Sequence, residues 1–272
     1  MRGVRFVHAR CPGRGDVVSY SFVRLDREGA VARLTLNRPP LNVLDIATML
    51  EMSRALEEVE ADPGVGVALI TGEGKAFCAG VDVEDHSADQ VEVMLDAFHR
   101  VVLQILGLPC PVVAAVNGAA LGGGCELVLA SDVAFARAGA KIGQPEVLLG
   151  VFPPVAAALM PRLLGRQRAL DLILSGRTLG AEEAMTMGLI SRVIPTGEFA
   201  AEVDAYVAGL ASLSRPVLRL AKATTRECMD LPPHKAIQRA ERRYLRDLMA
   251  LEDPHEGLAA FLEKRSPVWK GA

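Results

Sequence analysis

With 272 residues, half of them hydrophobic, the chain has room for one large domain or one domain with an appendage, and its composition is globular rather than disordered or fibrous. A formal net charge of −3 leaves no basic stripe to neutralise phosphates, which argues against nucleic acid as the main partner. Five scattered cysteines with no C-x-x-C pair argue against a disulfide framework or a zinc cage and fit a reducing cytoplasm, and no apolar run approaches the ~20 residues that span a bilayer.

Residues 1 to 16 carry Arg2, Arg5, His8, Arg10 and Arg14 ahead of no apolar signal core and read as a disordered extension. Two strand patterns follow, VVSYSFVRL (17 to 25) and AVARLTLN (30 to 37), joined as a hairpin through DREG. Beyond the break at Pro39 and Pro40, the apolar residues Ile46, Met49, Leu50, Leu56 and Val59 recur at helical spacing, with Asp45 placed as the N-cap. VGVALIT (65 to 71) reads as a short buried strand, followed by the turn GEG and the loop KAFCAGVD. Ser87 with Gln90 makes a capping-box pattern for a helix whose apolar face carries Val91, Met94, Leu95, Phe98, Val102 and Ile105. VVAAVNG (112 to 118) is again a buried strand; a glycine run, a helix and the strand VAFARA (133 to 138) come next.

This cycle of strand, glycine-bearing turn and helix predicts parallel strands joined by helical crossovers. From about residue 197 the pattern changes to amphipathic helices with proline or polar breaks and no strand between them. We therefore expect an α/β core over residues 17 to 196, carrying the site, and a helical region over 197 to 272 that packs on the core or on another subunit.

Two glycine-bearing segments invite a nucleotide reading and fail it. LGGGCE has Leu127 where G-x-G-x-x-G needs its third glycine, and TGEGKAF has Leu69 and Ala76 where a P-loop needs glycine and Ser/Thr. Glycines at the start of a helix have another use: they let a polarised carbonyl approach the free N–H groups of the first turn. A second N–H just after Gly80 would complete an oxyanion hole, although close helix–strand packing is the plainer reason for three glycines. Glu126 follows in the first turn of that helix, and Glu146 sits in IGQPEVLLG among apolar residues. A buried carboxylate must be capping, paired or catalytic, and two of them beside an oxyanion hole suit proton transfer next to a carbonyl. Cys78 and Cys125 read as small buried hydrophobes, and His86 and His99 as ordinary helix residues with no metal-spaced partner.

KAFCAGVD, then PVVAAVNGAALGGGCELVLASDVAFA, then KIGQPEVLLG, in that order, resemble the crotonase (enoyl-CoA hydratase/isomerase) family, and the likeness continues through LILSGRTLGAEEAMTMGLISRVIP to GLAAFLEKRSPVWKG. The resemblance implies a spiral of ββα repeats with a helical C-terminal region that forms trimers, often paired into hexamers. It implies an acyl-CoA thioester as substrate, coenzyme A as part of that substrate, and neither a separate cofactor nor a metal. Carried over by position, the N–H groups of Val81 and Gly123 form the oxyanion hole. Glu126 and Glu146, 20 apart (146 − 126), match the two glutamates that hold the water in hydratases. The main chain of Ala79, Val81, Asp82, Val83 and Glu84, with Gly123, would receive the substrate, and Phe261 and Lys264 match positions that reach a neighbouring subunit's coenzyme A. Members that isomerise or hydrolyse commonly alter one carboxylate, so an intact pair favours hydration. An isomerase or hydrolase of this fold is the enzyme alternative, and a non-catalytic or RNA-associated scaffold the other class. In two places the chain departs from the family pattern. Pro153, Pro154, Val155 and Ala156 stand where the family has a glycine-rich turn, and NRPPLNVLD is a compressed form of its early asparagine-rich segment. Both, together with GVDVEDHSAD, are similar to the branch that hydrates cyclohexa-1,5-diene-1-carbonyl-CoA, with a linear enoyl-CoA as the rival substrate.

Overall fold

The computed structural model describes residues 20–271. The expected disordered extension over residues 1 to 16 lies outside them.

Two sheets organise the chain. A six-stranded sheet has the order β1-β2-β3-β5-β7-β10, with β1 (Val23–Glu28) antiparallel to β2 (Val31–Leu36). β3 (Val67–Gly72), β5 (Val112–Val116), β7 (Val133–Arg137) and β10 (Arg192–Ile194) then join in parallel. The inner strands are buried on both faces, which is why they read as continuous apolar runs rather than as alternation. A smaller sheet holds β4 (Ala76–Cys78), β6 (Ala119–Leu121) and β8 (Lys141–Gly143) in parallel, with β9 (Thr178–Gly180) antiparallel at its edge.

Each turn of the chain contributes one long strand to the first sheet, one short strand to the second and then a helix. β3 and β4 lead to α2 (Val91–Gly107), and β5 and β6 lead to α3 (Gly123–Ala130). β7 and β8 lead through a 3-10 turn, Glu146–Leu149, to α4 (Pro154–Leu164) and α5 (Arg166–Ser175). This is the ββα spiral anticipated above, preceded by α1 (Ile46–Ala61) and continued by α6 (Ala181–Met187). The turns stack closely enough to need bare backbone: a methyl built on Gly118 would lie 1.9 Å from the Lys75 carbonyl oxygen. Asn117 ties the same two turns together, accepting from the Gly72 N–H and donating to the Gly74 and Ala76 carbonyls.

Four local expectations change. The hairpin is shifted: β1 takes in Asp26 to Glu28, while the N–H groups of Ser21 and Phe22 are occupied by the Glu51 carboxylate and cannot pair with a strand. Asp45 does cap α1, accepting from Thr48 N–H at 2.8 Å, but Leu50 faces outward at 37 % exposure. Ser87 and Gln90 make no capping box; α2 starts on backbone bonds from the Gln90 and Val91 N–H groups to the Ser87 carbonyl. KAFCAGVD is not all loop, because β4 occupies its middle.

Beyond β10 the described residues are helical: α7 (Phe199–Ala211), α8 (Arg215–Cys228), α9 (Pro233–Arg243) with a π turn at Tyr244–Leu248, and α10 (Glu252–Leu262). α7 buries Phe199, Val203 and Val207 against Val67, Leu69, Val113 and Phe135 of the large sheet. α8 and α9, though amphipathic, have no fully buried residue in the single chain. The tie from α8 to the core is polar. Lys222, with an 8 % exposed side chain, meets Asp132 at 2.5 Å and donates to the Cys110 carbonyl. No helix among the described residues is long and apolar enough to cross a membrane.

Candidate active site

The three parallel strands of the small sheet end side by side, and the residues singled out above follow their C-terminal ends. β4 runs into Ala79, Gly80 and Val81; β6 into Gly122 and Gly123; β8 into Gln144 and Glu146. Loops at the carboxyl ends of parallel strands are where α/β sheets build sites, because strand direction gathers those loops on one rim.

The β4 loop approaches the start of α3 closely. A methyl on Gly123 would sit 2.8 Å from Val81 Cγ2 and 3.2 Å from Phe98 Cζ, and one on Gly80 would lie 3.9 Å from Gly123 N. Val81 pairs in parallel with Leu44: Leu44 N–H donates to the Gly80 carbonyl, and Asp82 N–H to the Leu44 carbonyl. That pairing turns the N–H of Val81 itself to the other side. Among the described residues, neither the Val81 N–H nor the Gly123 N–H has a hydrogen-bond acceptor. Two adjacent unpaired donors, one of them on the first turn of a helix, can receive an oxygen that gathers negative charge.

Glu126 is on the first turn of α3 and only 3 % exposed. Its Oε1 accepts from Ala156 N–H at 2.7 Å, with Val155 N–H adding to the cradle. These are first-turn amides of α4, in the segment where prolines replace the expected glycines; Pro153 and Pro154 have no N–H to offer, so Val155 and Ala156 supply it. Burial pushes the Glu126 carboxyl up to about 7 against the pull of those amides, and the nearby Glu146 charge adds to the rise. Glu146 opens the 3-10 turn after β8 and lies against the same glycines: a methyl on Gly122 would meet its Oε1 at 2.7 Å. Burial raises its pKa as well. Two carboxyl groups whose ionised forms are disfavoured by burial, beside two free amides, are suited to taking up and releasing protons.

Two contributors are not apparent from the sequence alone. Gln144 is wholly buried and, with its amide nitrogen toward Glu146, donates to both carboxylate oxygens at 3.0 and 3.1 Å. An uncharged polar residue two positions before a glutamate in IGQPEVLLG was the available signal. Phe98 supports Gly123 from α2, and nothing local to either residue foretold the contact. Cys78 and Cys125 are buried, and burial raises both thiols, Cys78 to about 12, so they stay neutral and pack. Asp82, Val83 and Glu84 continue from Val81 on the half-buried to exposed rim. Phe261, 82 % exposed at the end of α10, and Lys264, just past it, make no side-chain hydrogen bond to any of these groups among the described residues.

Comparisons with known proteins bear on the family and the fold. The profile of the enoyl-CoA hydratase/isomerase family matches residues 26–272. A cyclohexa-1,5-dienecarbonyl-CoA hydratase of Thauera aromatica is 40 % identical over 249 residues, covering 91 % of this chain and 96 % of its own. A probable enoyl-CoA hydratase of Mycobacterium tuberculosis is 38 % identical over 254 residues, covering 92 % and 98 %. The crystal structure of an enoyl-CoA hydratase from Bacillus anthracis superposes with a TM-score of 0.89 at 33 % identity, over 93 % of this chain and all of the other. With its ββα spiral and a family match running almost from end to end, the chain belongs to the enoyl-CoA hydratase/isomerase family.

Proposed function

We propose that the chain is a hydratase that adds water across the C=C bond of an α,β-unsaturated acyl-CoA thioester. The thioester oxygen accepts from the N–H groups of Val81 and Gly123, while Glu126 and Glu146 hold the water. Glu126 takes a proton as the water oxygen bonds to the β-carbon; the π electrons move toward the thioester, whose oxygen carries the developing charge; Glu146 delivers a proton to the α-carbon. Return of the proton from Glu126 to Glu146 restores the pair. Hydration moves no net electrons, so the reaction asks for no redox partner, and coenzyme A enters only with the substrate.

The observation that carries this reading is that Glu146 rests on Gly122, one residue from the unpaired Gly123 N–H, while Glu126 rises from the same helix turn. Glu146→Gln is expected to lower kcat by several powers of ten with the affinity for a CoA ester kept; near-normal turnover would refute the assignment. On the acyl group, the Thauera relative and the proline-bearing start of α4 favour a cyclic dienoyl thioester. Product analysis with a 2-enoyl, a 3-enoyl and a cyclic dienoyl CoA separates this from a linear hydratase and from isomerisation. The exposed apolar residues Ile237, Leu245, Leu258, Phe261 and Leu262 on the C-terminal helices support a homotrimer, or two trimers paired, as the working form. In that assembly Phe261 and Lys264 would face a neighbour's coenzyme A. Light scattering of the purified protein reads the assembly directly.

A further inference from the structure

The hydrogen bonds within the loop bearing Val81 lie on either side of that residue: Cys78 Sγ to the Gly80 carbonyl before it, and Glu84 N–H and His86 Nδ1 to Asp82 after it. The loop follows a three-residue strand, turns at Gly80 with φ of 119°, and regains local structure only at the 3-10 turn Glu84–His86. At Val81 itself the support comes from outside the loop, from the link between β2 and α1. Ala79 N–H donates to the Leu41 carbonyl, the Leu44 pairing brackets Val81, and Ile46 N–H donates to Asp85 at 2.9 Å. The link is therefore a template for the loop, and the direction of the Val81 N–H follows from where Leu44 lies.

Two side chains hold the template in turn. Asn42 is 1 % exposed and adopts φ of 52°, a left-handed conformation that most side chains resist. Its Oδ1 accepts from Arg38 N–H at 3.0 Å, and its Nδ2 donates to the Glu73 and Ala76 carbonyls at 3.0 and 2.8 Å, joining the link to the turn that launches β4. Arg38 lies over the Phe22 ring and donates to the Val43 carbonyl. Its guanidinium spans Asp45, the cap of α1, at 2.9 Å and Asp82, the residue after Val81, at 3.7 Å. A planar fork can bridge two carboxylates in this way, whereas an ammonium group serves one point.

We infer that Arg38 and Asn42 are positioning residues that aim the Val81 N–H at the substrate's thioester oxygen, neither of them touching substrate. The inference rests on the oxyanion role proposed for Val81 and adds to it a cause of its geometry. Removing a donor outright from such a hole costs on the order of 10²–10³ in rate. Misaiming one donor should cost part of that, about 10- to 100-fold, through kcat rather than KM.

The test compares wild type with Arg38→Met, Arg38→Lys and Asn42→Gly. Glycine accepts the left-handed backbone, so Asn42→Gly removes the hydrogen bonds without adding strain. Each variant is titrated with cinnamoyl-CoA, whose conjugated thioester absorbs at longer wavelength when its carbonyl is polarised, and is assayed with a 2-enoyl-CoA. The expected result is retained cinnamoyl-CoA affinity, a smaller red shift on binding and a kcat reduced about 10-fold or more. Arg38→Lys should fall nearer to Arg38→Met than to wild type. A full red shift and unchanged kcat in folded Arg38→Met would overturn the inference, as would losses tracking the unfolded fraction alone. If Asn42→Gly fails to fold, the two Arg38 variants decide. If wild type binds cinnamoyl-CoA with no red shift, the oxyanion reading of Val81 fails first, a result distinct from a wild-type shift that the variants keep.

Discussion

Glu126 makes a prediction in which stability and activity move in opposite directions. Glutamine at this position keeps an oxygen to accept from Ala156 N–H and loses only the charge. The carboxyl titrates near 4.5 when exposed and is raised to about 7 in the folded chain, chiefly by burial. At 1.36 kcal/mol per pH unit, ionising it in place costs about 3 kcal/mol. The sign follows from linkage: the native state binds this proton more tightly than the unfolded chain, so the group's contribution is fully present below about pH 4.5 and is lost as pH rises through about 7. Glu126→Gln never pays that cost. It should match wild type near pH 4.5 and be more stable above about pH 8 by about 3 kcal/mol, while its hydratase turnover collapses. Urea unfolding at matched protein concentration, repeated from about pH 5 to pH 8.5, measures the difference directly. A pH-independent difference, or a variant less stable than wild type at the alkaline end, would refute the description of Glu126 as a buried acid held against its ionised form.

If Glu126 acts ionised, kcat/KM should rise with pH through about 7 before levelling, and a profile with no such limb would remove it as the base. Asp132→Ala leaves the buried Lys222 unpaired and should cost about 2–3 kcal/mol, discounted because Asp132 is 29 % exposed; thermal melts would show it, and Lys222→Met in the same background should restore part of the loss. Gly124→Ala, whose methyl would meet the Cys78 carbonyl oxygen at 2.1 Å, should lose about 3 kcal/mol or more and appear as a drop in soluble yield and melting temperature. Gly122→Ala should lose about 2 kcal/mol but nearly all activity, since φ of 50° strains the backbone and the methyl displaces Glu146. Gly29→Ala, at φ of 60° with nothing within 4 Å, controls for the strain alone and should leave turnover unchanged.

Legibility in the sequence tracked the range of the interaction. The long strands and the helices α1, α2 and α3 could be read because burial and 3.6-residue spacing are local properties. β4, β6, β8 and β9 are three residues each, below the length at which alternation is a pattern, and they exist only because neighbours supply their ladders. The hairpin begins later than its apolar pattern because Glu51, on α1, takes the N–H groups of Ser21 and Phe22, a contact spanning about thirty residues. Glu126 and Glu146 stood out because an apolar context makes a carboxylate conspicuous. Their partners did not: Ala156 offers only its main chain, and Leu44, which orients Val81, looks like any other core leucine.

Each of the three glycines at the mouth of α3 meets a different neighbour. Gly124 is packing: the Cys78 carbonyl of β4 lies where its side chain would be. Gly122 makes the corner from β6 into α3 with its backbone conformation, and its bare face lets the Glu146 carboxyl lie against the helix start. Gly123 sits between Val81 and Phe98, where any side chain would push the two loops apart and separate the unpaired N–H groups. A run that looks redundant in one dimension therefore meets three separate constraints in space. The close approach of β4 to β6 that packing demands is also what brings a free amide from each loop to the same rim, so the geometry on which the proposed oxyanion hole depends comes from tight backbone packing rather than from added side chains.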